Sequence, residues 1–264
     1  MTDYPLPNNS ADLTGRVALV TGASSGLGAR FARVLAAQGA AVALCARRKD
    51  RLEALAAEIE AAGGNALAVQ MDATDADSMI AAVAAAEAAF GTVDILVNNA
   101  GMPDAQRAHK MSLELIDNVI GVNLRGPWIL SCEVARRLIA AGKPGRMVNI
   151  SSVAHYKYDG NGAALYAVTK TAIARMTDAL SMEWAPYNIN VNAIAPGMFV
   201  SEMTDGMFER MGGNPAPHVA RKRIPVPEQM DSTLLYLVAP ASECVTGAII
   251  KIDDGQGSAV RLRS

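Results

Sequence analysis

The stretch Val17-Ala18-Leu19-Val20-Thr21-Gly22-Ala23-Ser24-Ser25-Gly26-Leu27-Gly28 decides the fold. Its first five residues are apolar and β-prone, the pattern of a strand covered on both faces. They run directly into Gly22, Gly26 and Gly28, spaced Gly-x-x-x-Gly-x-Gly, and then into a helical pattern carrying Phe31, Val34 and Leu35. The glycines permit a tight turn and a close backbone approach to a pyrophosphate. The following helix offers free N–H groups and the positive end of its dipole. A glycine-rich turn alone is an ordinary loop. Set between a strand and a helix, it has the context that a dinucleotide site needs.

The same rhythm continues outward. Further strands are predicted at Ala41–Cys45, Ala66–Met71, Asp94–Asn98, Arg146–Ser151 and Ile189–Ile194, and a last one at Ala248–Ile252. Helical segments are predicted near 26–38, 49–62, 75–89, 112–140, 164–185 and 228–238. Strand and helix in regular alternation imply right-handed βαβ units. The expected fold is α/β: a Rossmann-type doubly wound parallel sheet of about seven strands, with helices on both faces. The rhythm breaks between Pro196 and Pro227, where Gly206, Gly212, Gly213, Pro215 and Pro217 accompany several Met and Phe residues. A long irregular insert in such a fold is a lid or binding loop, expected near 197–226. With no repeat or linker, residues 1–264 are read as a single domain.

Composition excludes several classes. The net charge of −2 gives no electrostatic footprint for nucleic acid or an anionic membrane. No apolar run reaches membrane-spanning length, and the first residues lack the basic and apolar regions of a secretory signal. Cys45, Cys132 and Cys244 lie far apart and are read as buried small hydrophobes in a cytoplasmic protein. His109 and His218 show no ligand spacing, and no metal is expected.

Further motifs fall on these elements in order. Asn98-Asn99-Ala100-Gly101 follows the fourth strand, and Asp72-Ala73 the third. Asn123 lies in Val122-Asn123-Leu124. Asn149-Ile150-Ser151-Ser152 closes the fifth strand, Tyr166-Ala167-Val168-Thr169-Lys170 opens a helix, and Pro196-Gly197 ends the sixth strand. Together with the glycine spacing, Val245-Thr246-Gly247 and Asp253-Asp254-Gly255, this series resembles the short-chain dehydrogenase/reductase family from about Leu13 to Gly257. The resemblance implies hydride transfer between NAD or NADP and a carbonyl or alcohol.

Tyr166 and Lys170 are four apart and share a helix face. A phenol titrates near pKa ~10, and a neighbouring ammonium favours its ionised form. Tyr166 is therefore expected to be the general acid/base, with Lys170 tuning it. Ser152 would donate to the substrate oxygen. The family places this serine thirteen residues before the tyrosine, whereas Ser152 lies fourteen before it, so the intervening loop carries one extra residue. Ser151 ends the strand instead. The resemblance also gives Lys170 a hold on the nicotinamide ribose and makes Asn123 part of a proton relay. Asn98 and Asn99 are read as turn residues that support the site.

The cofactor contacts expected are Gly22, Ser24, Ser25, Gly26, Leu27, Gly28, Asp72, Ala73, Asn99, Ala100, Gly101, Tyr166, Lys170, Pro196 and Gly197, with Thr204 or Ser201 near the phosphates. An acidic residue at the end of the second strand favours NAD. That position holds Ala46, followed by Arg47, Arg48 and Lys49. Cations there suit a 2′-phosphate, so NADP is expected ahead of NAD, with Arg47 and then Arg48 reading the phosphate. His155, Tyr156, Tyr158, Met198, Phe199, Met203, Met207 and Phe208 are candidates for the substrate pocket or for packing of the loop. The resemblance implies a homo-oligomer, a tetramer or dimer. Two alternatives stand beside this reading: a non-catalytic nucleotide-binding sensor or scaffold, and a dehydratase or epimerase of the same fold.

Overall fold

In a computed structural model, which describes residues 10–158, 160, 162–202, 204, 208 and 213–257, seven strands pair side by side. They are β1 (Val17–Thr21), β2 (Ala41–Ala46), β3 (Asn65–Gln70), β4 (Ile95–Asn98), β5 (Gly145–Ile150), β6 (Ile189–Pro196) and β7 (Ile249–Ile252). Every pairing is parallel, and the order is β3-β2-β1-β4-β5-β6-β7. The helices are α1 (Gly26–Ala37), α2 (Lys49–Ala61), α3 (Ala76–Phe90), α4 (Leu113–Ile120), α5 (Gly126–Ala141), α6 (Ala164–Trp184) and α7 (Asp231–Val238).

Alternate side chains of each strand enter two separate cores. Ala18, Val20, Val42, Leu44, Ile95 and Val97 face α1, α2 and α7. Val17, Leu19, Ala43, Cys45, Leu96 and Met147 face α3, α5 and α6. Both sides of each central strand are therefore dry, which is why the strands read as unbroken apolar runs. The sheet is the rigid platform from which the loops at its C-terminal edge project.

Two expectations need correction. The helix predicted over 112–140 is interrupted: α4 passes through a wider π-type turn, Gly121–Arg125, before α5 begins. In this turn the Gly126 N–H bonds the Gly121 carbonyl. Pro127 has no N–H to give and would clash with an ordinary preceding turn, so the backbone widens there. Gly126 also lets α5 lie close to the turn after β3, since a Cβ would fall 2.5 Å from the Ala73 carbonyl oxygen. The cysteines also differ from one another. Cys45 is buried and its thiol is pushed up to about 12 by burial, but Cys132 is half-buried and Cys244 exposed. Among the described residues no helix is long and apolar enough to cross a membrane.

Candidate active site

The strand order reverses direction between β1 and β4, so the chain leaves these neighbours toward opposite faces and opens a crevice at their C-terminal ends. A cleft of about 2290 Å³ occupies this position. Its walls come from the turn after β1, the ends of β2 to β6 and the long insert after β6.

Thr21 ties the two switch-point strands together. Its hydroxyl oxygen accepts from the Asn99 and Ala100 N–H groups, each at 2.9 Å. The Asn99 amide donates back to the Thr21 carbonyl at 2.9 Å, fixing the glycine turn against β4. Gly22 needs its positive φ of 67° and lines the cleft with Ser24, Ser25, Gly26 and Leu27. Gly28 does not line it. It is buried behind the wall, where a Cβ would collide with the Gly22 carbonyl and the Asn99 amide. Ser25, the N-cap of α1, makes no side-chain cap bond, so this helix start presents its first N–H groups to the cleft. An uncapped, glycine-cradled helix end fits the pyrophosphate of a dinucleotide.

The second-strand cations divide into two states. Arg47 lines the cleft and is exposed. Arg48 is engaged: it donates to Ser24 Oγ at 2.9 Å and Ser25 Oγ at 2.8 Å, and pairs with Glu202 at 3.1 Å. Arg51 also pairs with Glu202. These guanidinium groups hold the Glu202 carboxyl down at about 2. Asp72 and Ala73 line the same wall. Asp72 Oδ1 accepts from the Thr74 N–H and hydroxyl, both at 2.8 Å, so it also builds its own turn. Thr204 lines the cleft, but its hydroxyl bonds the Phe199 carbonyl at 2.7 Å within the insert.

At the other end, Ser152, Tyr166 and Lys170 meet in the cleft with Ala100, Gly101, Pro196 and Gly197. Ser151 is buried and donates to the Lys170 carbonyl at 2.9 Å, while Lys170 Nζ donates to the Ile150 carbonyl at 2.7 Å. These bonds fasten the end of β5 to α6 and occupy the Ser151 hydroxyl; both serines border the cleft, and Ser152 is the more exposed. Lys170 Nζ lies 5.6 Å from the Tyr166 ring centroid. The charge effects differ in direction from the sequence expectation. Burial pushes the Tyr166 phenol above its ordinary value; the hydrogen bond with Ser152 opposes this, and the charge of Asp104 adds to the rise. Burial also pushes Lys170 down, to about 8. Desolvation acts against the charged form of both groups and is the largest cause of each shift.

Asn123 sits within the π-type turn, 1 % exposed. Its Oδ1 accepts from the Met102 N–H at 2.8 Å, and its Nδ2 donates to the Met102 carbonyl at 2.9 Å. The side chain thus clamps the segment after β4. An unbroken α-helix would bond the Asn123 main-chain carbonyl to the N–H of residue 127, which is Pro127 and has none. Asn98 is buried deeper and donates to Ser131 and Asn149, while Asn149 donates to Thr177. This polar ladder joins α5, β4, β5 and α6 beneath the site.

The substrate end corrects two expectations and adds residues with no sequence signal. Tyr158 and Met198 line the cleft, but His155 and Tyr156 do not. His155 Nδ1 is held 2.7 Å from the Ser152 carbonyl, and the Tyr156 hydroxyl donates to Asp253 at 2.8 Å. Phe199 lines the cleft while packing into the core, and Phe208 is not among the residues lining the cleft. Met203 and Met207 lie outside the described residues. Gln256 enters from the far end of the chain. Its amide accepts from the Met198 N–H at 2.6 Å and donates to the Met198 carbonyl at 3.1 Å, pinning the start of the insert.

A dinucleotide crevice that ends at a serine, a tyrosine and a lysine defines an NAD(P)-dependent oxidoreductase acting on CH–OH and C=O groups. Residues 16–212 match the family model for short chain dehydrogenase. The chain is 39 % identical over 248 residues to the short-chain reductase protein NovJ of Streptomyces niveus, covering 91 % of this chain and 93 % of that one. It is 33 % identical to a gluconate 5-dehydrogenase of Gluconobacter oxydans, over 92 % of this chain and 95 % of that one. A crystal structure of a short-chain type dehydrogenase/reductase from Mycobacterium marinum superposes with a TM-score of 0.89 at 32 % identity, over 93 % and 97 % of the two chains. The chain belongs to the short-chain dehydrogenase/reductase family.

Proposed function

We propose that the chain interconverts a ketone and a secondary alcohol with Tyr166 as proton donor and acceptor, using NADP in preference to NAD. The carrying observation is the meeting of half-buried Ser152 and Tyr166 with buried Lys170 in the cleft. When bound, the nicotinamide supplies or accepts the hydride. The protein's part is positioning and proton transfer. Ser152 donates a hydrogen bond to the substrate oxygen. The Tyr166 phenol gives its proton to that oxygen on reduction, or its phenolate takes the alcohol proton on oxidation. Lys170 holds the nicotinamide ribose, and its ammonium, when protonated, stabilises the phenolate. Asn123 holds, through its main-chain carbonyl, a water that passes protons between Lys170 and solvent; a Cβ on Gly101 would lie 3.5 Å from Lys170 Nζ and 3.6 Å from the side-chain Oδ1 of Asn123, so the two residues border one space.

The preference for NADP rests on Ala46 at the end of β2 and the cations after it. We read residues 1–264 as one domain of a cytoplasmic homo-oligomer. Exposed Trp128 and Met182 accompany an apolar groove formed by Ile120, Leu124 and Met176 on the α4–α6 side, and this supports assembly there.

The test is a carbonyl screen with NADPH that follows cofactor and product together. One cofactor consumed per alcohol formed is the expected result. Turnover without net cofactor loss would point to dehydration or epimerisation. Arg47→Ala should weaken NADPH binding at least tenfold and leave NADH binding within about twofold, since only NADPH carries the phosphate. Equal losses would mean that Arg47 does not read it.

A further inference from the structure

We propose that Asp104 is a positioning residue for the proton-transfer step: its carboxylate, arriving from the segment after β4, caps α6 and holds Tyr166 in place with a fixed negative charge at the start of its helix. This rests on the assignment of Tyr166 as acid/base.

The helix carrying Tyr166 has no cap of its own. Its N-cap residue is Ala163, which makes no side-chain cap bond. The approach to the helix includes Gly160 and Gly162 at φ 77° and 74°, and neither has a side chain to bond with. The first N–H groups of a helix need partners when they are buried. Asp104 supplies them across the site. Its Oδ2 accepts from the N–H of Leu165 at 2.9 Å and of Tyr166 itself at 3.1 Å. Its Oδ1 accepts from the Ala105 N–H at 2.9 Å, so both oxygens are anchored. The residue is only 3 % exposed. Ala105 takes a left-handed φ of 49°, a strained conformation for a residue with a Cβ.

A serine or threonine at position 163 would meet the same hydrogen-bonding need locally. A carboxylate adds something that a hydroxyl does not, a negative charge at the positive end of α6. That charge sits at the backbone N–H of Tyr166 and favours the protonated form of its phenol. The groups facing Tyr166 are then Lys170 from α6, Ser152 from the end of β5 and Asp104 from the end of β4. Arg107, Lys157 and His218 line the same cleft. The Ser152 hydrogen bond favours the phenolate, and the charge of Asp104 opposes it. The balance keeps the proton on Tyr166 for delivery to a carbonyl oxygen. The Tyr166 backbone is fixed by the same carboxylate, so position and proton affinity are set by one group.

The test is the pH dependence of alcohol oxidation, read as kcat/KM, in wild type, Asp104→Asn and Asp104→Ala. Asparagine keeps an oxygen for the Leu165 and Tyr166 N–H groups but removes the charge. It should move the limb that reports phenolate formation down by about half a pH unit or more. Alanine removes cap and charge together, and should lower kcat at least tenfold at every pH while cofactor binding is retained. Should Asp104→Asn not fold, Asp104→Ser is neutral, keeps an acceptor, and takes the same measurement. A residue with only a structural role would change thermal stability and leave the limb where it was, which would overturn the proposal. Tyr166→Phe run alongside separates the two claims. If it keeps turnover, the acid/base assignment has failed. If it is inactive and the limb stays fixed in the neutral Asp104 variants, only the role of Asp104 has failed.

Discussion

Lys170 is buried and Tyr166 half-buried, and desolvation works on them in opposite senses. The phenol holds its proton more tightly than a free tyrosine, and the lysine holds its own less tightly. The folded lysine titrates near 8 against 10.5 for the free group. Between those values the unfolded chain binds more protons than the folded one, so this site makes stability rise with pH across that window. Lys170→Met removes the group. Wild type should therefore gain roughly 2 kcal/mol relative to this variant between about pH 8 and 10, because a proton held only by the unfolded chain is worth ~1.4 kcal/mol for each step in pH. Urea unfolding at the two pH values measures it, and the comparison cancels Cys45, which both proteins share. A difference that stays flat would mean that Lys170 titrates as an ordinary lysine. Sequence spacing identified these two side chains and Ser152, because each lies on a local motif. It did not show the direction in which the tyrosine moves. Proximity of charge is visible in a motif, whereas depth of burial depends on the whole fold.

At the scale of elements, the interrupted α4–α5 pair carries the most information. Periodicity joined the segment into one helix because Gly121, Gly126 and Pro127 are short-range signals inside an otherwise continuous pattern. The break places Asn123 in the π-type turn and turns its amide onto Met102. Pro127 withholds the N–H that an unbroken α-helix would give the Asn123 carbonyl, the atom proposed to hold the relay water. Pro127→Ala restores that donor. The variant should keep cofactor affinity and lose at least about tenfold in kcat, with thermal stability unchanged or raised, since proline in a helix interior costs stability. Undiminished kcat would remove the backbone carbonyl from the relay. The strands were legible to within a residue or two because their burial on both faces writes itself as unbroken apolar runs. Asp104 and Gln256 were not legible. Each reaches its partner across a large stretch of sequence, to Tyr166 and to Met198, and no local pattern records such a meeting.

At the scale of the molecule, the insert after β6 reaches back across the cleft to the end of β2. Glu202 pairs there with Arg48 and Arg51, beside the serines of the phosphate-binding turn. A 2′-phosphate meeting these arginines competes with the carboxylate already on them. Glu202→Gln should therefore tighten NADPH binding several-fold and leave NADH binding nearly unchanged, as read by cofactor fluorescence. An equal change for both would place Glu202 in loop packing alone. The cations at this end of the cleft were legible in the sequence, but nothing local to them signals that an acid from the distant insert meets them. That pairing exists only once Glu202, after β6, has folded against the end of β2.

The central claim is that Tyr166 moves the proton while the rest of the cleft binds and aligns. The most direct measurement is Tyr166→Phe, taken through both NADPH titration and carbonyl reduction. The substitution removes one hydroxyl from a half-buried residue. NADPH affinity should stay within about twofold of wild type, and kcat should fall by about 10²–10⁴, the usual contribution of a positioned general acid. Turnover near the wild-type rate, with binding intact, would contradict the account and send the search for the proton donor elsewhere in the cleft.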